Sequence, residues 1–172
     1  MTKLKRTKNR ALAKVYSKIP SLVDLYAKKA DLVVNTTTPF TPLNKPLASC
    51  RLALATTAGV HLKDQEPFDM SDKSGDPSYR EIPSDVSVGQ LTITHDYYNH
   101  VDALSDPNLV LPVEPLRQLL RERFIGSVGP RFYGFMGHIQ GDHLDILTGL
   151  TAPEVAAALR ADEVEVVFLT PT

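Results

Sequence analysis

The sequence predicts an α/β domain with a mainly parallel sheet, flanking helices and long functional loops. Short apolar runs at residues 51–57 (RLALATT) and 163–169 (EVEVVFL) are typical of strands in such a sheet. Segments whose apolar residues follow helical spacing alternate with these runs, which indicates helices that cover the sheet. The stretches between these elements are long, polar and rich in turn residues.

Size and composition narrow the class of protein. The 172 residues suit one domain with a sizeable core, and a hydrophobic fraction of 42% is ordinary for a globular protein. The formal net charge of -1 gives no sign of a nucleic-acid or membrane partner. No apolar run approaches the roughly 20 residues that span a bilayer, and the basic N-terminus does not resemble a secretory signal. One cysteine excludes an internal disulfide framework. We therefore expect a cytoplasmic protein.

Two regions differ in pattern. Residues 1–47 are predicted to form a helical N-terminal arm and an extended connector, and residues 48–172 the α/β domain. In the arm, apolar spacing predicts helices at 4–18 and 21–31, separated by a proline. The connector at 35–47 holds three prolines and has no helical period.

The arm is strongly basic. Residues 1–30 carry many Lys and Arg side chains and a single acid, Asp24. One interpretation is a segment that docks on an acidic partner or a nucleic acid. The other is the solvated face of a surface helix, which we favour because no aromatic platform or groove-reading motif accompanies the charge.

Within the domain, the apolar pattern predicts elements in a regular order. Strands are predicted at 51–57, 91–94, 132–136 and 163–169, helices at 113–124, 142–150 and 151–161, and irregular loops at 60–90 and 95–112. Thr151 is a plausible N-cap, with Glu154 completing a capping box. The final strand is predicted to be buried.

Histidines cluster near the predicted strand ends. In open α/β sheets, catalytic groups collect beyond the carboxyl ends of the strands. His61, His95 and His138 fall in such positions and are the candidate catalytic residues. Imidazole titrates near neutral pH and suits proton donation to a leaving group. The alternatives are substrate binding and hydrogen bonding to the backbone of long loops.

Metal binding is the less favoured interpretation of these residues. Nitrogen and oxygen ligands are offered by His95, Asp96, His100 and Asp102, and by His138, Asp142 and His143. Zinc or iron accepts such ligands. Neither spacing matches a known metal signature, so no metal site is predicted.

Other polar residues are candidates for substrate binding. These are Thr57, Arg80, Glu81, Asp96 and Arg131. The two arginines are suited to clamp a carboxylate, although a loop-stabilising ion pair is the alternative for each. Cys50 lies at the start of a predicted strand, where a small buried residue is a better interpretation than a reactive thiol.

Several unusual sequence words occur together in the domain. They are LATTAGVHLKDQEPFDM at 54–70, GDPSYREIP at 75–83, TITHDYY at 92–98, DPN at 106–108, GSVGPR at 126–131 and FMGH at 135–138. In these words and their order, residues 48–172 resemble the short members of the glycine/sarcosine/betaine reductase selenoprotein B family. The resemblance implies an oxidoreductase subunit that cleaves a carbon–heteroatom bond of a small amine-type substrate, with thiols as electron donor and a disulfide as acceptor.

The resemblance also bears on the end of the chain. In the family, a final strand and the words Leu-Thr-Pro-x precede selenocysteine or cysteine, with a further cysteine close behind. This chain ends FLTPT at 168–172. The resemblance thus implies selenocysteine just after Thr172, a domain that is incomplete at its C-terminus, no cofactor bound within these residues and no reductase activity from them alone.

Partners follow from the same resemblance. The implied partners are a small-molecule substrate, other reductase subunits and a thiol reductant, without nucleic acid or membrane. The alternative function is a non-catalytic subunit that binds the substrate or a partner.

Overall fold

The computed structural model describes residues 3–16, 18, 19, 21, 22 and 40–171. Helix α1 (Lys3–Tyr16) confirms the first predicted helix. Most of the second predicted helix, 21–31, and the start of the connector lie outside the described residues. From Phe40 to Pro46 the connector has no regular structure, and a short 3₁₀ helix (Leu47–Ser49) leads into the domain.

Seven strands follow in the described part of the chain. They are β1 (Arg51–Thr56), β2 (Val60–Leu62), β3 (Tyr79–Pro83), β4 (Leu91–Ile93), β5 (Ser127–Val128), β6 (Arg131–Phe135) and β7 (Val166–Thr170). The helices of the domain are α2 (Val101–Ser105), α3 (Val113–Arg121), α4 (Asp142–Ile146) and α5 (Ala152–Ala161), with short 3₁₀ helices at Val88–Gln90 and Pro107–Leu109. The α/β class and the mostly parallel sheet with flanking helices are confirmed.

Strand β1 is central to the main sheet. Along one edge it pairs in parallel with β5, at Arg51 and Leu52, and with β6, at Ala55 and Thr56. Along its other edge it pairs in parallel with β7 over the whole length of that strand. Strand β3 adds to β6 in the antiparallel sense. Nearly every residue of β1 is buried, as its apolar sequence predicts for a central parallel strand.

A small antiparallel ribbon of β2 and β4 packs across the main sheet. Gly134 in β6 makes this possible, because a Cβ atom there would lie 2.0 Å from the carbonyl oxygen of Val60. The ribbon is a correction to the sequence analysis, which treated residues 60–90 as a loop and 91–94 as a strand of the main sheet. Strands of three residues carry too little periodicity to be recognised, and their pairing depends on tertiary contacts.

Two further predictions about elements were wrong. Thr151 does not cap a helix, because a π-helical turn (Leu147–Thr151) connects α4 directly to α5. The Thr151 backbone is helical and its hydroxyl donates to the Pro77 carbonyl oxygen at 2.8 Å. Strand β7 is parallel as predicted but not buried: Leu169 is 69% exposed, since β7 has no outer neighbour among the described residues.

The core lies between the main sheet and its covering segments. Its largest fully buried side chains include Leu54, Ile82, Leu111, Phe132 and Tyr133. Helix α1 is mostly exposed and buries Ala13. In the described part of the chain, no helix has the length and apolar character to cross a membrane.

Candidate functional site

The carboxyl ends of β1, β6 and β7 meet at one edge of the main sheet. Thr56, the last residue of β1, is in register with Gly134 on one side and Thr170 on the other. The Thr57 amide then donates to the Thr170 carbonyl oxygen at 3.1 Å. The Thr170 hydroxyl donates to the Val110 carbonyl oxygen at 2.6 Å. The end of β7 is therefore fixed beside the turn that follows β1.

A glycine turn brings the loop after β4 to this carboxyl edge. Gly59 has a φ of +72°, and a Cβ atom there would lie 2.5 Å from the Thr94 carbonyl oxygen. The Gly59 amide donates to the Phe135 carbonyl oxygen, and its own carbonyl accepts from the Thr94 amide at 2.9 Å. The Tyr98 hydroxyl donates to the Ala58 carbonyl oxygen at 3.1 Å. The segment 94–100, which carries His95 and Asp96, is thus held against the end of β1.

The loop after β6 is held at the same edge. Gly75, with a φ of +86°, packs so closely that a Cβ atom would lie 1.6 Å from the His138 carbonyl oxygen. The His138 Nε2 contacts the Lys73 carbonyl oxygen at 3.0 Å, and His143 Nδ1 contacts the Gly75 carbonyl oxygen at 2.8 Å. These contacts fix the loop 63–78 against residues 136–143.

His95 is the most constrained titratable group at this edge. It is only 4% exposed, and its Nδ1 accepts a hydrogen bond from the Tyr97 amide at 3.2 Å. A neutral ring with an accepting Nδ1 carries its hydrogen on Nε2. That Nε2 is buried and has no hydrogen-bond partner among the described residues. The rings of Tyr97 and Tyr98 meet the imidazole edge to face, with centroids at 5.9 and 4.8 Å.

Electrostatics decide what His95 can do. Burial, together with the nearby His138 and His100, lowers the pKa of His95 to about 4. The ring is therefore neutral at physiological pH and offers a fixed N–H. Such a group suits hydrogen bonding to an acceptor atom or to charge that develops on a ligand, rather than delivery of a proton.

His138 and Tyr97 form one wall beside His95. Their rings are stacked, with centroids 3.8 Å apart and planes 20° from parallel. Burial raises the pKa of Tyr97, and Asp96 and Asp72 act in the same direction. Of the predicted catalytic histidines, the structure thus brings His95 and His138 together at the carboxyl edge.

His61 lies elsewhere, inside β2. Its Nδ1 donates to the Leu62 carbonyl oxygen at 2.7 Å, so the neutral ring accepts at Nε2 from the Thr94 hydroxyl at 2.8 Å. Burial lowers the pKa of His61. Both nitrogens are used in joining β2 to the end of β4, which is the loop-bonding alternative considered from the sequence.

The two candidate carboxylate clamps are both engaged by the protein. Arg80 donates to the carbonyl oxygens of Glu66, Pro67 and Tyr79, and its guanidinium lies 4.4 Å from the Phe68 ring centroid. This side chain ties the loop 63–78 to β3.

Arg131 lies at the opposite, amino end of β6. It makes paired hydrogen bonds of 2.8 and 3.0 Å to Asp162 and a third, of 3.0 Å, to Glu81. These bonds raise the pKa of Arg131 further. Arg131 and Glu81 thus join strand β6 to β3 and to the turn before β7, away from the carboxyl edge.

Asp96 is fully buried and depends on a residue that the sequence analysis did not single out. Its Oδ1 accepts from Arg10 Nε of helix α1 at 2.9 Å. Helix α1 is therefore not only a solvated helix, because it supplies a counter-ion to the loop beside His95. The sequence contains one indication of this contact. A buried carboxylate needs a cationic partner, and the basic arm offers several cations.

Two chemistries that the sequence analysis weighed but did not predict are a metal site and a reactive Cys50 thiol. In the described ranges, no group of three or more His, Cys, Asp or Glu side chains is arranged to hold a metal ion. Cys50 is buried at the amino end of β1, with its thiol 3.3 Å from the Pro46 carbonyl oxygen. It lies at the other end of the strand from Thr57.

Comparison with known proteins gives the family. The model of the glycine/sarcosine/betaine reductase selenoprotein B family matches residues 4–172, which extends the resemblance from the 48–172 region into α1. The D-proline reductase subunit gamma of Acetoanaerobium sticklandii is 36% identical over 144 residues, which cover 83% of this chain and 57% of that protein.

More distant relatives belong to glycine reductase complexes. The component B gamma subunits of Symbiobacterium thermophilum and Carboxydothermus hydrogenoformans are each 29% identical over 137 residues, or 78% of this chain and 31% of theirs. The chain thus spans between a third and about three fifths of the length of these relatives. No solved structure matches it. The chain belongs to the glycine/sarcosine/betaine reductase selenoprotein B family.

Proposed function

We propose that this chain is part of the redox-active, gamma-type subunit of a selenol- or thiol-dependent reductase that cleaves the carbon–nitrogen bond of a small amino acid. The observation that carries the proposal is the position of Thr170. It is hydrogen-bonded to the turn after β1, and the loop with His95 packs on that same turn. A residue shortly after Thr170 would therefore enter the carboxyl edge of the sheet, where ligands of such folds collect.

The redox residue is proposed to follow Thr172, as selenocysteine or cysteine. The words Leu169-Thr170-Pro171-Thr172 support this position because they match the family's wording before that residue. A selenolate or thiolate there would supply the nucleophile that displaces the amine, and a neighbouring thiol would complete a two-electron reduction.

The groups of this chain would bind and orient the substrate. The fixed Nε2–H of His95 would donate to an acceptor atom of the substrate, and the Tyr97–His138 stack would limit its approach from one side. His138 is only partly buried and is the candidate for moving a proton. Arg80, Glu81 and Arg131 have structural partners and are not part of this proposed site.

The relatives suggest the substrate. One is named for D-proline reductase and two for glycine reductase complexes. We favour D-proline, since the D-proline reductase subunit has the higher identity and this chain covers more of it. Other subunits of the complex and a dithiol reductant are the expected partners.

A second function, binding without redox chemistry, has its own supporting observation. Cys50 is the single cysteine of the 172 residues and is buried at the amino end of the sheet. These residues alone would therefore bind substrate or partner but not reduce it. We expect no dithiol-dependent reduction from the purified 172-residue chain, and activity that survives Cys50→Ser would contradict this.

The nucleotide sequence after the codon for Thr172 separates the two functions. A redox subunit requires UGA or a cysteine codon, with a further cysteine codon close behind in the same frame. A UAA or UAG codon with no related sequence beyond it would leave only the binding function.

An activity assay then tests the site. The frame extended through that codon, with cysteine in place of selenocysteine, would be combined with the partner subunits and assayed for dithiol-dependent loss of D-proline and of glycine. His95→Gln, which keeps an N–H donor, should retain more activity than His95→Ala. Equal activity of the two variants and the wild type would exclude His95 from the site.

A further inference from the structure

A small cavity lies between α1 and the segment 98–104, next to the candidate site. The cavity has a volume of about 170 Å³ and is lined by Arg10, Lys14, Tyr98, Asn99, His100, Val101 and Leu104. We call it the α1 cavity. Its size is comparable with protein cavities of roughly 150 Å³ that accept a six-carbon ring, so it has room for a small molecule.

The charged side of the cavity is positive. The Arg10 side chain is 53% exposed, and its hydrogen bond to a described residue is the one from Nε to Asp96. With respect to the described residues, the terminal guanidinium nitrogens have no partner and can make a bidentate contact with a planar anion. Asp96 is fully buried and does not line the cavity. This arrangement favours a carboxylate ligand.

Part of the cavity lining is apolar. Val101 and Leu104, both on α2, are about half exposed although they are large aliphatic side chains. With Tyr98 they give the cavity an apolar wall. An inorganic anion would gain nothing from such a wall, but an organic acid with a small hydrocarbon body would bury apolar surface against it.

His100 adds a hydrogen-bond acceptor. Its Nδ1 donates to the Tyr98 carbonyl oxygen at 3.1 Å, so the neutral ring has a lone pair on Nε2. Burial lowers the pKa of His100, and the charge of Arg10 acts in the same direction, so the ring stays neutral near pH 7. Among the described residues, Nε2 has no hydrogen-bond partner, and it can accept from an N–H group of a ligand.

We propose that the α1 cavity binds a small aliphatic carboxylic acid, with its carboxylate on Arg10 and its hydrocarbon body against Val101 and Leu104. An amine on the ligand would donate to His100. The proposal does not rest on the reductase function, because it needs no redox residue and is read out by binding alone.

Methyl NMR of the 172-residue chain tests the proposal with defined probes. Cyclopentanecarboxylate should shift the methyl signals of Val101 and Leu104 and saturate with a Kd of about 1 mM, as expected for a ligand of this size. Cyclopentanol, of similar shape but uncharged, should bind at least about tenfold more weakly because it cannot pair with Arg10. D-Proline and L-proline test whether the amine adds affinity.

Two variants locate the binding. Arg10→Gln should weaken the binding of cyclopentanecarboxylate at least about tenfold. Lys8→Gln, on the exposed part of α1, should leave the binding unchanged. Leu104→Trp, at a half-exposed position, fills the cavity without removing Arg10 and should abolish the Val101 shifts. The proposal is overturned if the probe shifts no methyl group at 10 mM, about ten times the expected Kd, or if both cavity variants bind it as well as the wild type.

Discussion

His95 has an unusual combination of burial and unused hydrogen-bonding capacity. A buried donor without a partner costs about 1–3 kcal/mol, and proteins retain such groups mainly where a ligand or ordered water satisfies them. The neighbouring aromatic rings and the Tyr97 amide fix the imidazole in one orientation. The residue is therefore preorganised as a donor, which supports its place in the proposed site.

The lowered pKa of His95 makes stability depend on pH. The unfolded chain takes up a proton near pH 6.5, and the folded chain only near pH 4. Stability is therefore complete above pH 6.5 and falls as the pH drops towards 4. Between pH 7 and pH 5 we expect His95 to lower the free energy of unfolding by about 2 kcal/mol.

Urea unfolding at the two pH values measures this effect. Glutamine does not titrate, so between pH 7 and pH 5 the free energy of unfolding of the His95→Gln variant should fall less than that of the wild type. The difference should be about the amount assigned to His95. Some loss should remain, because the pKa values of His61 and His100 are lowered too. An identical pH dependence in both proteins would mean that His95 is not buried in its neutral form.

The Arg10–Asp96 pair gives a second prediction. Arg10→Gln leaves the fully buried Asp96 without this counter-ion, and we expect the free energy of unfolding to fall by about 2 kcal/mol. The half-exposed position of Arg10 keeps the value below that of a fully buried pair. Lys8→Gln, on the exposed part of the same helix, should change stability by less than about 0.5 kcal/mol. Equal effects of the two variants would indicate that α1 does not dock through Arg10.

Single residues show where sequence reasoning stops. The position of His95 and Asp96 after a strand predicted their place near the sheet edge. The partner of Asp96 could not be predicted from the sequence, because Arg10 is 86 residues away and many other basic side chains could pair with this carboxylate. The structural engagement of Arg80 and Arg131 was also undetermined, since charge alone does not distinguish a substrate clamp from an internal ion pair.

At the scale of elements, the fold depends on close packing of the ribbon on the sheet. Gly134→Ala would place a methyl group against the Val60 carbonyl oxygen, so β2 must move away from β6. We expect a loss of at least about 3 kcal/mol in the free energy of unfolding, at or above the upper range for overpacked cores. Thermal unfolding followed by circular dichroism gives the comparison.

Gly149→Ala is the matched control. Gly149 lies in the π-helical turn and nothing lies within 4 Å of an added Cβ atom. Because alanine favours helical backbone over glycine, we expect this variant to gain up to about 1 kcal/mol. If both variants unfold like the wild type, β2 does not pack on β6 at Gly134.

Elements differ in how far the sequence predicts them. Strand β1 and helix α3 were recognised because each is long enough to show its period or its apolar run. Strands β2, β3 and β5 were missed: they have two to five residues, and their pairing comes from neighbours that are distant in sequence. The π-helical turn was missed because the same capping residues occur at a true helix start.

At the scale of the whole molecule, the outer edge of the sheet is unprotected in the described chain. Strand β7 presents exposed Phe168 and Leu169 and has β1 as its single partner among these residues. Free strand edges with apolar side chains promote association. We expect the 172-residue chain to self-associate with rising concentration, as measured by light scattering after gel filtration.

Leu169→Lys should reduce this association, because a charge on an edge strand opposes pairing with another chain. The control is Leu109→Lys, which adds the same charge at an equally exposed leucine outside the sheet. If both variants associate to the same extent, total charge rather than the β7 edge governs the effect.

The connection between β1 and β7 also sets the order in which the sheet can form. Thr56 and Thr170 are hydrogen-bonded although they are 114 residues apart in sequence. One edge of β1, the first strand of the domain, therefore cannot pair until β7, the last strand, is present. During synthesis, β1 can pair with β5 and β6 but keeps its other edge open until β7 leaves the ribosome. Closing so long a loop is slow, and intermediates with an open central strand are prone to misassembly. We therefore expect the pairing of β7 with β1 to be a slow, late step in the folding of this domain.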